Sequence, residues 1–93
     1  MPYSQKIIET INEAAPSLGT DLGRWAVRRD ISMQRISQIV GASRQTVYNW
    51  FTGATDVTPA YQERVTAVIN VLKKTSQSDD AWRILCTTFN LKL

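Results

Sequence analysis

The chain has 93 residues, 43% of them hydrophobic, with a formal net charge of +3 and a pI near 9.4. That length suits one domain with a single core, and so mild a basicity is compatible with a polyanionic partner without requiring one. One cysteine, Cys86, and no histidine exclude an intrachain disulfide and a Cys/His zinc site, and no apolar run approaches the ~20 residues of a membrane span.

After Ser4, a suitable N-cap, Ile7, Ile8, Ile11, Ala14 and Ala15 recur at helical spacing and predict a first helix that Pro16 ends. The pattern does not decide whether this helix is an added arm or packs on the core. Pro16-Ser17-Leu18-Gly19 reads as a turn, dividing the chain into an N-terminal helix and turn, 1–18, and a domain over 19–93. A second helix is expected from Asp21 to Asp30, with Thr20 as N-cap and Leu22, Trp25 and Ala26 facing inward. Arg24 and Arg28 share another of its faces. Ser32 is expected to cap a third helix, Met33 to Val40, with Ile36, Ile39 and Val40 on its buried side. Gly41 lies just past its end, where a left-handed backbone is cheap only for glycine. Ser43 then caps a fourth helix, Arg44 to Thr52, closed by Gly53.

Thr58-Pro59 predicts the start of a fifth helix, Thr as cap and Pro at the first position, where its missing N–H costs nothing. Tyr61, Val65, Val68, Ile69 and Leu72 keep one of its faces, and Lys73 and Lys74 sit at its negative end. After a polar break, Ser78 is expected to cap a last helix with Asp79 and Asp80 in its first turn. Its apolar stripe is Trp82, Leu85, Cys86 and Phe89, with Cys86 read as a small buried hydrophobe. No segment alternates with period two, so the fold class is all-α, a bundle of five to six short helices.

The stretch from Ser32 to Gly53 carries the functional signal. With Arg44 at zero and 100° per residue, Val47, Trp50 and Phe51 fall between about 240° and 340°, and Gln45, Tyr48, Asn49 and Thr52 between about 40° and 140°. The fourth helix therefore has one buried face and one exposed face, flanked by Arg44 and Thr46. Arg suits the two acceptors of guanine, and Gln or Asn suits the edge of adenine. Arg44 and Gln45, in the first turn, are the first candidates for base contact, Asn49 the next, and Tyr48 either touches a thymine methyl or packs on Arg44. Ser43 and Thr52 suit phosphate through their hydroxyls. Arg24, Arg28, Arg29, Arg35 and Arg44 form a basic zone opposed there only by Asp30, so Arg24, Arg28, Arg29 and Arg35 are further phosphate candidates, against the alternative of a plain solvated surface.

These residues resemble the lambda-repressor/Cro-type helix-turn-helix family, also called the XRE family. The resemblance spans Leu22 to Leu72 and rests on Leu22, Ile36, Val40, Gly41, Ala42, Ser43, Val47, Trp50 and Gly53, followed by a helix carrying Val65, Ile69 and Leu72. One position departs: Ser37 stands where the family prefers Ala, and it is small enough for close helix approach. The resemblance implies a lambda-repressor-like bundle, groove-facing roles for Arg44, Gln45, Thr46 and Asn49, and a place near phosphate for Gln34. It also implies binding to a two-fold, double-stranded operator as a homodimer, and, from the small size, a Cro-like repressor of phage or mobile-element type.

Trp82, Leu85 and Phe89, with the tail Leu91 and Leu93, are the candidate dimer or partner surface, unless that stripe only closes the monomer core. A competing function is a protein-interaction module on the same scaffold: an antitoxin, an anti-repressor or a polymerase-docking factor. An enzyme is not expected, because histidine is lacking and Asp79 and Asp80 diverge on a helix. No cofactor, metal or membrane partner is expected. The opening residues lack the apolar centre of a signal peptide, so the expected location is the cytoplasm of a bacterial or host cell, in association with the nucleoid.

Overall fold

The computed structural model describes residues 2–76 and 79–91. Among them the chain is all-α: α1 (Gln5–Glu13), α2 (Leu18–Arg28), α3 (Met33–Val40), α4 (Arg44–Thr52), α5 (Pro59–Lys74) and α6 (Ala81–Thr88). The second helix is central. It packs on α1, α4 and α5, while α3 packs on α4 and α5, and α6 closes against α5 and α3.

Local capping explains where the helices start. Ser4, Ser32 and Ser43 accept from the backbone N–H three residues on, at Ile7, Arg35 and Thr46. Two starts differ from the sequence reading. The cap of α2 is Ser17, not Thr20: Ser17 Oγ accepts from Thr20 N–H at 3.2 Å, and Thr20 Oγ1 accepts from Ser17 N–H at 2.9 Å. This reciprocal capping box satisfies two orphan donors at once and starts the helix directly after Pro16. It ends at Arg28, since Asp30 takes a left-handed φ of 59°. In α6, Asp80 is the N-cap rather than a first-turn residue; its Oδ1 accepts from Arg83 N–H at 3.1 Å. The cap expected at Ser78 lies outside the described residues, as does Leu93. Thr58 holds the N-cap position of α5 without a side-chain capping bond, so Pro59 carries that start signal.

The first helix belongs to the core. Ile11 is fully buried, and Tyr3, which precedes the helix, is buried as well. Tyr3 Oη donates to the Ile31 carbonyl at 2.6 Å, and its ring lies 6.3 Å from that of Phe51. Burial, helped by the charge of Asp30, pushes the Tyr3 hydroxyl well above its ordinary pKa of 10.0. A raised folded-state pKa means that the native state holds the proton longer than the unfolded chain. Stability is then lost as pH rises above the unfolded value of 10.0. Tyr3→Phe is expected to cost about 1–2 kcal/mol at neutral pH, the typical effect of leaving a buried carbonyl unpaired. In urea unfolding followed across alkaline pH, the variant should lose the fall in stability that the parent shows above pH 10.0.

Two glycines set how closely α4 approaches α2. A Cβ on Gly19 would stand 2.8 Å from both Cβ and the carbonyl oxygen of Trp50, and one on Gly23 would stand 3.0 Å from the ring of Phe51. Three arginines tie helices together through carbonyls at helix C-termini. Arg24 donates to Ala14 O at 2.9 Å and Ile11 O at 3.4 Å, holding the end of α1. Arg29 Nε donates to Leu72 O at 3.2 Å and Thr75 Oγ1 at 2.9 Å, at the end of α5. Arg64 Nε donates to Ile39 O at 3.0 Å, at the end of α3.

Candidate nucleic-acid interface

The pair α3 and α4 is joined through Gly41, whose φ is 78°, then Ala42 and the cap Ser43. Nothing lies within 4 Å of the place where a Cβ on Gly41 would sit, so its backbone angle alone makes glycine the favoured residue there. Gly53, with φ 79°, closes α4. Val47, Trp50 and Phe51 are all buried and anchor α4, as the helical arrangement predicts. Met33, at the start of α3, and Arg44, Gln45 and Tyr48 of α4 line a shallow depression of about 250 Å³.

The opposite face of α4 presents polar chemistry. Arg44 and Gln45 are exposed, and Arg44 has no hydrogen-bond or ion-pair partner among the described residues. Tyr48 is 38% exposed. Gln45 Nε2 donates to Asn49 Oδ1 at 3.1 Å. That bond leaves Gln45 one N–H and its carbonyl, and leaves Asn49 both N–H groups, so the pair offers donors and an acceptor together from one side. Those are the groups that the edges of bases in a major groove engage. Asn49, Thr46 and Thr52 are half-buried at the flanks.

The hydroxyls have work within the helix. Ser43 Oγ accepts from Thr46 N–H at 3.1 Å and lies 2.8 Å from Thr46 Oγ1, while Thr52 Oγ1 donates to Tyr48 O at 2.9 Å. Gln34 is exposed in the first turn of α3. Ser37 Oγ donates to Gln34 O at 2.6 Å, which satisfies the hydroxyl inside its own helix. This accommodates a serine where the helices approach.

The arginines close together in sequence are dispersed in space. Arg44 leads α4. The guanidinium of Arg35 lies 5.1 Å from the ring centre of Trp82 on α6, and that of Arg28 lies 5.0 Å from Trp25 at the end of α2. Arg24 is half-buried on the carbonyls of α1 and 3.6 Å from Asp21, so much of its donor capacity is turned inward. Of the stripe expected to meet a partner, Leu85 is fully buried in the chain's own core and presents nothing outward. Trp82 and Phe89 are half-buried, Trp82 beside Arg35 and Phe89 with the Arg64 guanidinium 4.4 Å from its ring centre.

Cys86 is buried, and burial pushes its thiol above the ordinary value, as suits a packing residue. Among the described residues there is no group of three or more His, Cys, Asp or Glu placed to hold a metal ion, and no helix is long and apolar enough to cross a membrane. Comparison with protein-family models, with curated proteins and with solved structures gave no match.

Proposed function

We propose that this chain is a sequence-specific regulator that binds double-stranded DNA, built as a lambda-repressor/Cro-like helix-turn-helix domain, with α4 as the recognition helix. The observation that carries this reading is the two-sided character of α4. Val47, Trp50 and Phe51 fix one side in the core. Arg44, free of partners among the described residues, and the bonded pair Gln45 and Asn49 stand on the other. A helix fixed in this way keeps its exposed side chains in one register, which reading base edges requires. Arg44 and Gln45 act first, Asn49, Thr46 and Tyr48 next, and Ser43, Thr52 and Gln34 border the phosphates.

The chain acts as a homodimer on a two-fold site. Each body is 30 × 29 × 20 Å across, so two fit side by side with their recognition helices one DNA turn, about 34 Å, apart. Repression follows by covering a promoter. The test is selection of bound sequences from a random duplex pool. A palindromic consensus with half-sites one turn apart is expected, and equal affinity for selected and random duplexes at moderate salt refutes the reading.

A further inference from the structure

Outside α4, four cationic residues free of ion pairs among the described residues lie on the ends of α2 and α5, which meet. Arg29 joins the two ends by its bonds to Leu72 O and Thr75 Oγ1. Lys73 and Lys74 follow Leu72 directly and are exposed. Arg28 and Arg29 both lie over the ring of Trp25, each guanidinium 5.0 Å from its centre. Two cationic side chains thus lie on one half-buried tryptophan, and two more follow in sequence the carbonyl that Arg29 holds, with Asp30 the neighbouring acid in the chain. Four against one leaves +3, equal to the formal net charge of the entire chain, so the other charged residues cancel. None of the four takes part in an ion pair among the described residues; the pair found there is Arg24 with Asp21.

We infer that Arg28, Arg29, Lys73 and Lys74 form a second phosphate-binding surface, which contacts the backbone of the same duplex beside the groove that α4 enters. The inference rests on the DNA-binding reading and extends its footprint to α5. Two lysines at a helix C-terminus are explained by the helix dipole alone. The Arg28 guanidinium stacked on Trp25 is not, and its stacking holds that group in place before any ligand arrives, while Arg29 beside it is held by its bonds to Leu72 O and Thr75 Oγ1. Position favours a duplex over an acidic protein. From Arg29 the chain runs through Asp30 and Ile31 straight into Ser32, the cap of α3, and Gln34 stands in the first turn of that helix. The chain thus passes from this cluster directly into the start of α3, which the DNA-binding reading sets near phosphate. Duplex DNA, with one charge per ~1.7 Å of its axis, suits a surface of several cations.

The experiment uses the full chain and its selected duplex, with binding measured from 50 to 200 mM salt for the parent and for K73Q/K74Q. Each lost phosphate contact flattens the dependence of log affinity on log salt by about 0.9, so the double variant should be flatter by about 1.8. The parent should accordingly lose about twelvefold more affinity than the variant over that range. The consensus selected by the variant should not change, because phosphate contacts carry no sequence information. R28Q should flatten the slope again by a similar step. An unchanged slope in a variant that still binds the consensus overturns this surface and leaves the role of α4 standing. A parent without affinity for any duplex overturns both.

Discussion

Gly19→Ala is expected to lower the unfolding free energy by about 2 kcal/mol. Overpacking in a filled core costs about 1–3 kcal/mol, and a clash with main chain belongs at the top of that range. Alanine returns up to about 1 kcal/mol through its better helix propensity. In a chain of this size the net loss corresponds to a fall in Tm of roughly 8 to 16 °C. The atoms that a new Cβ meets are Cβ, Cα and the carbonyl oxygen of Trp50, all within 3.0 Å. All three remain in Trp50→Ala, so that second substitution should not rescue the first. Gly23→Ala makes the informative contrast, because it meets the Phe51 side chain at 3.0–3.1 Å and Ile11 Cγ2 at 3.3 Å, groups that can shift. It should cost less, because these contacts are longer than those at Gly19 and none is to main chain; Phe51→Leu keeps both Cβ and Cγ and so should not relieve the cost. Thermal and urea unfolding of the four variants decide the matter; a Gly19→Ala protein as stable as the parent contradicts the close approach of α2 and α4.

Arg44→Ala combined with Gln45→Ala is expected to abolish sequence preference while leaving the fold intact. Two bidentate base contacts at about 1–3 kcal/mol each correspond to a loss of preference between about 30-fold and about 20,000-fold. Both side chains are exposed and neither holds the core, so stability should change by less than about 0.5 kcal/mol. The affinity ratio between selected and random duplexes, measured at one salt concentration, reads the first effect, and thermal unfolding reads the second. If regulation in cells survives the double substitution, the chain acts through protein contacts instead of base reading. Gln45→Ala alone also frees Asn49 from its bond at 3.1 Å, so its effect should exceed the loss of one side chain.

The turn between α3 and α4 was the most legible part of the chain because its signals are local. Ser32, Gly41, Ser43 and Gly53 each act within a few residues, and each holds the position its chemistry suggests. The buried side of α4 was legible for the same reason, since helical spacing alone separates Val47 and Trp50 from Gln45. Contacts between residues far apart in sequence were not legible. Tyr3 precedes the first cap and has no periodic neighbours, and its partner Ile31 is 28 residues away. Gly19 reads locally as a turn residue, although its spacing of four from Gly23 is the signal of a small-residue stripe on a helix. For the arginines, sequence reports a charge and not a partner. Arg24 and Arg29 belong to one basic zone on paper, yet one holds the end of α1 and the other the end of α5. The same limit applies to α6, where apolar spacing grouped Leu85 with Trp82 although packing buries only Leu85 completely.

The arginine ties carry a consequence for the behaviour of this protein in acid. Small proteins commonly unfold at low pH because carboxylates with native partners become protonated and the contacts they made are lost. Here Arg24, Arg29 and Arg64 reach across helices to backbone carbonyls, with a hydroxyl added at Thr75, and neither guanidinium nor carbonyl changes charge over that range. The start of α6 is built differently. Asp79 Oδ2 accepts from Ser76 N–H at 2.8 Å and Asp80 Oδ1 from Arg83 N–H at 3.1 Å, so carboxylates secure it. The joints of α1, α3 and α5 thus rest on no carboxylate, whereas the first turn of α6 rests on two.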